Sequence, residues 1–295
     1  MLLSTSDWIH VKNKDDGTPY THAEVMADLK LAGYDSVDVN LWHLCFPGQP
    51  LAGDKWQEAV EELAAATAAA DLPVYQTHGN TMSGTEWDDP AYPHRELQHV
   101  TTLRCIEAAR RLGASCMVMH PFNLAHTSLY SAAENKKACI AYLAPYVEAA
   151  KKAGLRIAVE NMIDFGRRHR RYCAGDVFEL IDLVDTINDP DVGICIDTGH
   201  ANISGMTAGD AIRAAGKRLI ALHVNDNHSK LGQDEHLLPH FGDVDWASVM
   251  RALAEIGYAG HFTYEIGPQH VPDALRHAWL QYTVQVGREL LIRAK

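Results

Sequence analysis

The segment Arg156-Ile157-Ala158-Val159-Glu160-Asn161 is a short apolar, partly β-branched run that ends on a carboxylate and an amide. Its length suits a strand better than a helix, and its neighbours sharpen that reading. On its amino side lies an amphipathic stretch, residues 132–153, followed by Gly154. Glycine there is what a helix C-terminus wants, because it enters the left-handed region without steric cost. On its carboxyl side a polar loop leads to a second amphipathic stretch, residues 175–187. A strand flanked by helices in this way belongs to a parallel sheet.

The same unit repeats outward in both directions. Candidate strands fall at residues 1–6, 36–40, 73–79, 115–120, 156–161, 193–198, 219–225 and 261–266. Candidate helices lie between them at 22–32, 55–70, 93–112, 132–153, 175–187, 207–215, 246–256 and 272–292. Gly33, Gly113, Gly154 and Gly257 each stand just past a helix. Eight strand–helix units favour a closed (β/α)8 TIM barrel of class α/β over an open doubly wound sheet. The G-x-G-x-x-G that a dinucleotide-binding sheet requires is absent. No linker or low-complexity run interrupts the chain, so residues 1–295 read as a single barrel domain.

Composition narrows the function. No apolar run reaches the roughly 18–20 residues of a membrane span, and Met1-Leu2-Leu3-Ser4-Thr5-Ser6-Asp7 lacks the pattern of a signal peptide. None of the six cysteines forms a C-x-x-C pair, and most sit in apolar segments. Reduced, structural thiols of this kind suit a cytoplasmic protein. The net charge of −12 argues against a large nucleic-acid footprint. Seventeen histidines draw attention to where they fall, since His is the commonest metal ligand.

Many fall at strand ends, where barrel enzymes carry their chemistry. The third to eighth strands close on Thr77-His78, Met119-His120, Val159-Glu160-Asn161, Ile196-Asp197-Thr198-Gly199-His200, Leu222-His223-Val224-Asn225-Asp226 and Tyr264-Glu265-Ile266. One such residue is ordinarily a hydrogen-bonded structural group. Six consecutive strands ending this way point to a site. Glu160, Asp197 and Glu265 follow apolar strand residues, so their carboxylates are expected to point inward together. A divalent cation is the simplest neutraliser of three buried carboxylates, with His223 completing the set.

The ordered segments Val159-Glu160-Asn161-Met162, Cys195-Ile196-Asp197-Thr198-Gly199-His200, Leu222-His223-Val224-Asn225-Asp226 and Tyr264-Glu265-Ile266-Gly267 resemble the xylose-isomerase-like TIM barrel superfamily. That group includes sugar phosphate isomerases and epimerases and, more distantly, endonuclease IV, and the resemblance runs over essentially the whole chain. It implies that Glu160, Asp197, His223 and Glu265 bind one Mn²⁺, Co²⁺ or Mg²⁺, with the two glutamates serving as acid and base. Endonuclease IV binds three zinc ions through nine ligands. Matching residue types stand here at His78, His120, Glu160, Asp197, His200, His223, Asp234, His236 and Glu265. Many sugar-isomerase relatives share the His78 and His120 positions and a similar Asp-x-His loop. One divalent metal (Mn, Co, Mg or Zn) per chain is therefore favoured, with up to three allowed. The additional histidines have substrate hydroxyls as alternative partners.

The expected reaction is isomerisation or epimerisation of a sugar or keto-sugar, by proton transfer next to a carbonyl through a metal-stabilised enediolate. Glu160 and Glu265 would act as acid and base, and His200 would orient the substrate or shuttle a proton. The same chemistry serves a lyase or hydratase on a keto-glycoside or cyclitol. An endonuclease IV-like multi-zinc phosphodiesterase is the alternative of another class, and it needs spread basic residues that the chain lacks outside one run. A non-catalytic sugar-binding barrel would not need so many converging ionisable groups. The one basic run is Arg167-Arg168-His169-Arg170-Arg171. Such runs are ordinarily solvated surface; the functional readings are an anion clamp through Arg168 and Arg170, or a subunit contact. Trp8, His10, Trp42, His43 and Trp87 lie in or near loops of the same face, where an aromatic ring could stack on a sugar. The expected partner is a small-molecule carbohydrate. A homo-oligomer stays open, because the last helix could pack on a neighbour or only close the barrel.

Overall fold

Alternation along each strand sorts large apolar residues to one face and small or polar residues to the other, and the fold follows that sorting. A computed structural model describes residues 1–81, 94–124, 130–165 and 170–293, without the side chains of 165, 170, 171 and 293. Its strands are β1 (Leu3–Ser6), β2 (Ser36–Asn40), β3 (Val74–His78), β4 (Cys116–Met119), β5 (Arg156–Glu160), β6 (Asp164–Phe165), β7 (Arg170–Arg171), β8 (Val192–Asp197), β9 (Leu219–His223) and β10 (Phe262–Tyr264). Eight of them form one parallel sheet in the order β10-β1-β2-β3-β4-β5-β8-β9. The sheet closes on itself through Val224, whose N–H donates to Thr263 O at 2.8 Å and whose carbonyl accepts from Glu265 N at 3.0 Å. This is a single-domain TIM barrel of eight parallel strands. β6 and β7 form a separate antiparallel ribbon beyond the end of β5.

The helices are α1 (His22–Ala32), α2 (Trp56–Ala69), α3 (Arg95–Arg111), α4 (Ala132–Ala153), α5 (Val177–Ile187), α6 (Thr198–Ile203), α7 (Ala208–Ala215), α8 (Trp246–Glu255) and α9 (Asp273–Arg293). Every strand and helix expected from the sequence is present, with ends within two residues of the expected ones. The four joint glycines all take positive φ: 110° at Gly33, 75° at Gly113, 70° at Gly154 and 66° at Gly257. Thr21 caps α1 through a reciprocal box with Glu24.

The sequence predicts a strand over residues 193–198, but the strand stops at Asp197 and Thr198 already opens the helix α6. The reason is local: Asp197 Oδ1 accepts the N–H of His200 at 2.7 Å, an N-cap bond that competes with further strand pairing.

The larger core lies between barrel and helices. It takes the outward residues Leu3, Val37, Val39, Met117, Met119, Ile157, Val159, Ile194, Ile196, Phe262 and Tyr264. The barrel interior holds a separate, smaller cluster of Cys116, Val118, Ala158, Cys195 and Ala221. Small side chains fill the narrow lumen, and the inward positions above them belong to His78, Glu160, Asp197 and His223. One alternation thus builds both the core and the site.

The helices α7 and α8 pack closely at Gly209. A Cβ at Gly209 would sit 2.3 Å from Ser248 Oγ and 2.9 Å from the Ser248 carbonyl carbon and oxygen. Replacing Gly by Ala in a helix normally stabilises by up to about 1 kcal/mol, while forcing an atom into packed backbone costs about 1–3 kcal/mol. Overpacking should win here. Gly209→Ala is expected to lower stability by about 1–2 kcal/mol in urea or thermal melts, against the sign of helix propensity.

Candidate metal centre

Glu160 ends β5, Asp197 ends β8, His223 ends β9 and Glu265 follows β10. All four are buried, and one ligand atom from each lies within 4.8 Å of the others. His223 Nδ1 stands 3.0 Å from Glu160 Oε1 and 3.3 Å from Glu265 Oε2. Asp197 is fixed by three groups. Its Oδ2 accepts from Asn225 Nδ2 at 2.6 Å, its Oδ1 from His200 N, and its backbone N–H donates to Asn161 Oδ1 at 2.6 Å. Glu160 Oε2, by contrast, is buried without a well-formed hydrogen bond among the described residues, with His120 Nε2 at 3.3 Å and His78 Nε2 at 3.5 Å. A buried carboxylate oxygen so weakly satisfied, beside two more carboxylates and imidazole nitrogens, fits a divalent cation.

The two glutamates share a depth but not an environment. Burial pushes the Glu265 carboxyl up to about 7, and the charge of Glu160 adds to this. Glu160 meets the same burial penalty, yet His223, with His120 and His78, holds its carboxyl well below the usual range.

Three further groups overlap or adjoin this centre: His78 with His223 and Glu265, His78 and His120 with Glu160, and His200 with Asp234 and His236. Three of these histidines are anchored on main-chain carbonyls. His78 Nδ1 bonds Gly79 O at 3.1 Å, His200 Nδ1 bonds Asn161 O at 2.8 Å, and His236 Nδ1 bonds Glu265 O at 2.8 Å. A carbonyl only accepts, so Nδ1 carries the proton and Nε2 is the nitrogen left for the site. Asp234 Oδ2 lies between His200 Nε2 at 3.2 Å and His236 Nε2 at 3.1 Å. Burial alone would lower His236, but Asp234 outweighs it and raises the imidazole to about 9.

Asp234 and His236 sit on the loop after β9, and the buried carboxylate of Asp226 organises that loop. It accepts from Asn227 N, His240 N, Val244 N and Trp246 Nε1, at 2.9, 2.9, 3.1 and 2.9 Å. His236 itself has φ 48°, a left-handed conformation uncommon for a residue with a side chain. It is held there by its own ring bond to Glu265 O and by Gly267 N, which donates to its carbonyl at 3.0 Å.

The nine residues singled out in the sequence therefore meet in one constellation. It opens on a pocket of about 370 Å³ lined by Trp8, Trp42, Met162, Ile163 and Tyr172 together with site residues. Trp8 stands edge-on to His236 at 4.9 Å. His10 is not among the lining residues: its Nε2 lies 3.1 Å from Asp28 and its Nδ1 bonds Val11 O. Arg168 and Trp87 lie outside the described residues. Arg170 is described only by its backbone, which pairs with Phe165. The sequence reading passed over Tyr172, Met162, Asn161, Asn225 and Asp226. The two asparagines and Asp226 lie inside the quoted motifs, where adjacency to a ligand was the available signal.

The family whose pattern covers residues 26–283 is described as a xylose isomerase-like TIM barrel. The chain belongs to that family. Within it, an uncharacterized protein of Mycobacterium leprae is 25% identical over 277 residues, covering 88% of this chain and 90% of that one. A D-psicose 3-epimerase of Enterocloster bolteae is 40% identical over 93 residues, 32% of this chain and 29% of that one. Among solved structures, D-psicose 3-epimerase with D-tagatose from Clostridium cellulolyticum H10 superposes with a TM-score of 0.74 at 16% identity, over 99% of both chains. Ketose 3-epimerases are thus distant relatives of the chain, and the buried cluster is consistent with a divalent metal site. No helix among the described residues is long and apolar enough to cross a membrane.

Because Asp226 satisfies four donors at once, Asp226→Ala should destabilise the protein by about 3 kcal/mol or more. Hydrogen exchange is expected to show the loss concentrated in residues 227–245.

Proposed function

We propose that this protein is a divalent-metal-dependent isomerase or epimerase that moves a proton at a carbon next to the carbonyl of a sugar or keto-sugar. The observation that carries this reading is the convergence of Glu160, Asp197, His223 and Glu265, with both glutamates bordering the pocket. The pocket volume of about 370 Å³ falls in the range of small-molecule sites, roughly 300–1,000 Å³. A Mn²⁺, Co²⁺, Mg²⁺ or Zn²⁺ held by the four residues would supply Lewis-acid stabilisation of the oxyanion that builds up as the carbon loses its proton.

The remaining work falls to side chains. One glutamate takes the proton and the other returns one from the opposite face, which gives epimerisation. One glutamate doing both would give aldose–ketose isomerisation. His200, fixed through Asn161 O and Asp234, orients a substrate hydroxyl or passes a proton. Trp8 and Trp42 offer rings against which the apolar face of a sugar packs. Elimination or hydration on a keto-glycoside or cyclitol begins with the same proton removal, so such compounds belong in the substrate panel.

A second reading rests on two of the further groups, His78/His120/Glu160 and His200/Asp234/His236. They support more than one cation per chain and, with zinc, phosphodiester hydrolysis. Against a polyanionic substrate stand the net charge of −12 and the lack of any Lys or Arg among the described lining residues.

Elemental analysis of the purified protein separates the two. About one Mn, Co or Mg per chain is expected for the four-residue centre. Two or three Zn per chain would bring the whole constellation into use and move phosphodiesters to the front of the screen. For the proton-transfer reading, Glu160→Gln and Glu265→Gln should each slow incorporation of solvent deuterium into the substrate by about 10²–10⁴-fold. Full turnover by both variants, folded and metal-loaded, would overturn it.

A further inference from the structure

His223 is oriented unlike the other anchored histidines. His78, His200 and His236 each hold Nδ1 on a main-chain carbonyl and leave Nε2 for the site. His223 is reversed: Nδ1 faces Glu160, to which it hydrogen-bonds at 3.0 Å, and Glu265, while Nε2 lies 3.4 Å from Asp38 Oδ2 without making a hydrogen bond. Asp38 is on β2, on the same inward parity as Ser36 and Asn40, and is 0% exposed. Gln76 of β3 positions its carboxylate, donating from Nε2 to Oδ2 at 2.9 Å. Thr263 Oγ1 in turn donates to Gln76 Oε1 at 3.4 Å.

A carboxylate in this lumen needs a reason. The rest of the lumen holds the small apolar cluster of Cys116, Val118, Ala158, Cys195 and Ala221 and uncharged polar residues such as Ser36, Gln76 and Thr263, so packing alone does not call for a charge. Among the described residues Asp38 has no Lys or Arg ion-pair partner, and its Oδ1 has no hydrogen bond. Its one ion-pair contact there is His223. An isolated buried carboxylate is costly, and a fold that needed only volume would do better with an apolar residue.

We infer that Asp38 is a positioning residue that fixes the orientation and tautomer of His223. When Nδ1 serves as a metal ligand, its lone pair turned to the space shared with Glu160 and Glu265, the ring proton must stand on Nε2, and there the accepting carboxylate of Asp38 faces it at 3.4 Å. Carboxylates behind metal-bound imidazoles generally act in this way, and they also raise the basicity of the ligand. Gln76 and Thr263 hold the carboxylate in line, which extends the support of the centre across β2, β3, β9 and β10. The inference rests on the four-ligand reading above.

The test uses the full chain and Mn²⁺ alone, with free Mn²⁺ followed by electron paramagnetic resonance. Asp38→Ala is expected to raise the Kd for Mn²⁺ by about 10–100-fold. Asp38→Asn, which keeps an accepting oxygen, should lose less than about tenfold. A second readout uses the unmutated protein and so does not depend on a variant folding. In ¹⁵N-histidine spectra of the Zn²⁺-loaded chain, His223 should be protonated at Nε2 and metal-bound at Nδ1. An Asp38→Ala variant that binds Mn²⁺ within about twofold of the parent, or a His223 ring bound through Nε2, would overturn the role of Asp38. Failure of the parent chain to take up any divalent metal would instead overturn the four-ligand reading, and this inference with it.

Discussion

Three carboxylates, from Glu160, Asp197 and Glu265, converge on His223 with ligand atoms within 4.8 Å of one another, where little solvent reaches. Like charges at that spacing repel by roughly 3 kcal/mol per pair at an effective dielectric constant of about 20. The rest of the structure reads as a means of holding them there. Asn161 and Asn225 fix Asp197 from either side, and the N–H of His200 caps it. His223 lies between the two glutamates, and a cation would remove most of the remaining repulsion. Without such a site, apolar side chains at these positions would fill the barrel end at lower free energy.

The constellation is carried by parts of different stiffness. Glu160, Asp197 and His223 stand at the ends of strands that are paired on both sides, so their Cα positions are set by the sheet. Asp234 and His236 stand on a loop, and what makes that loop definite is internal bonding to Asp226 rather than sheet pairing. The positive φ at His236, and at His240 of the same loop, marks backbone strain. Strain of this kind persists where surrounding contacts over-determine it, and it concentrates at functional sites. The four-residue centre is thus built on rigid scaffold, with the adjoining Asp234/His236 arm fastened to it.

The pocket above the centre combines two chemistries. Trp8, Trp42, Met162 and Ile163 give it apolar walls, while His78, His120, His200 and His236 present nitrogens to it. A polyhydroxylated ring has C–H faces and hydroxyl edges that match this division. The burial that lifts the Glu265 carboxyl to about 7 also makes it sensitive to whatever charge enters beside it. Glu160 meets the same burial, but His223, with His120 and His78, holds its carboxyl well below the usual range. Two chemically identical side chains thereby become inequivalent through their surroundings alone.

Local pattern in the chain was enough to determine the barrel. The short apolar runs at 115–120 and 156–161, the amphipathic stretches between such runs, and the glycines at 33, 113, 154 and 257 each act over a few residues. Strand parity likewise indicated that Glu160, Asp197 and Glu265 face inward. Tertiary structure decided what depends on ring closure. It set Asp38 of β2 beside His223 of β9, although nothing adjacent to Asp38 in the sequence marks it as part of a site. It gathered nine candidate ligands into one four-residue centre and three groups that overlap or adjoin it, and it turned His10 towards Asp28 and out of the pocket lining. It also ended β8 at Asp197, whose carboxylate caps α6 as well as joining the centre. The physical reason is range: backbone preference and alternation are properties of neighbours in sequence, whereas ligand geometry is set across the lumen by strands far apart in the chain.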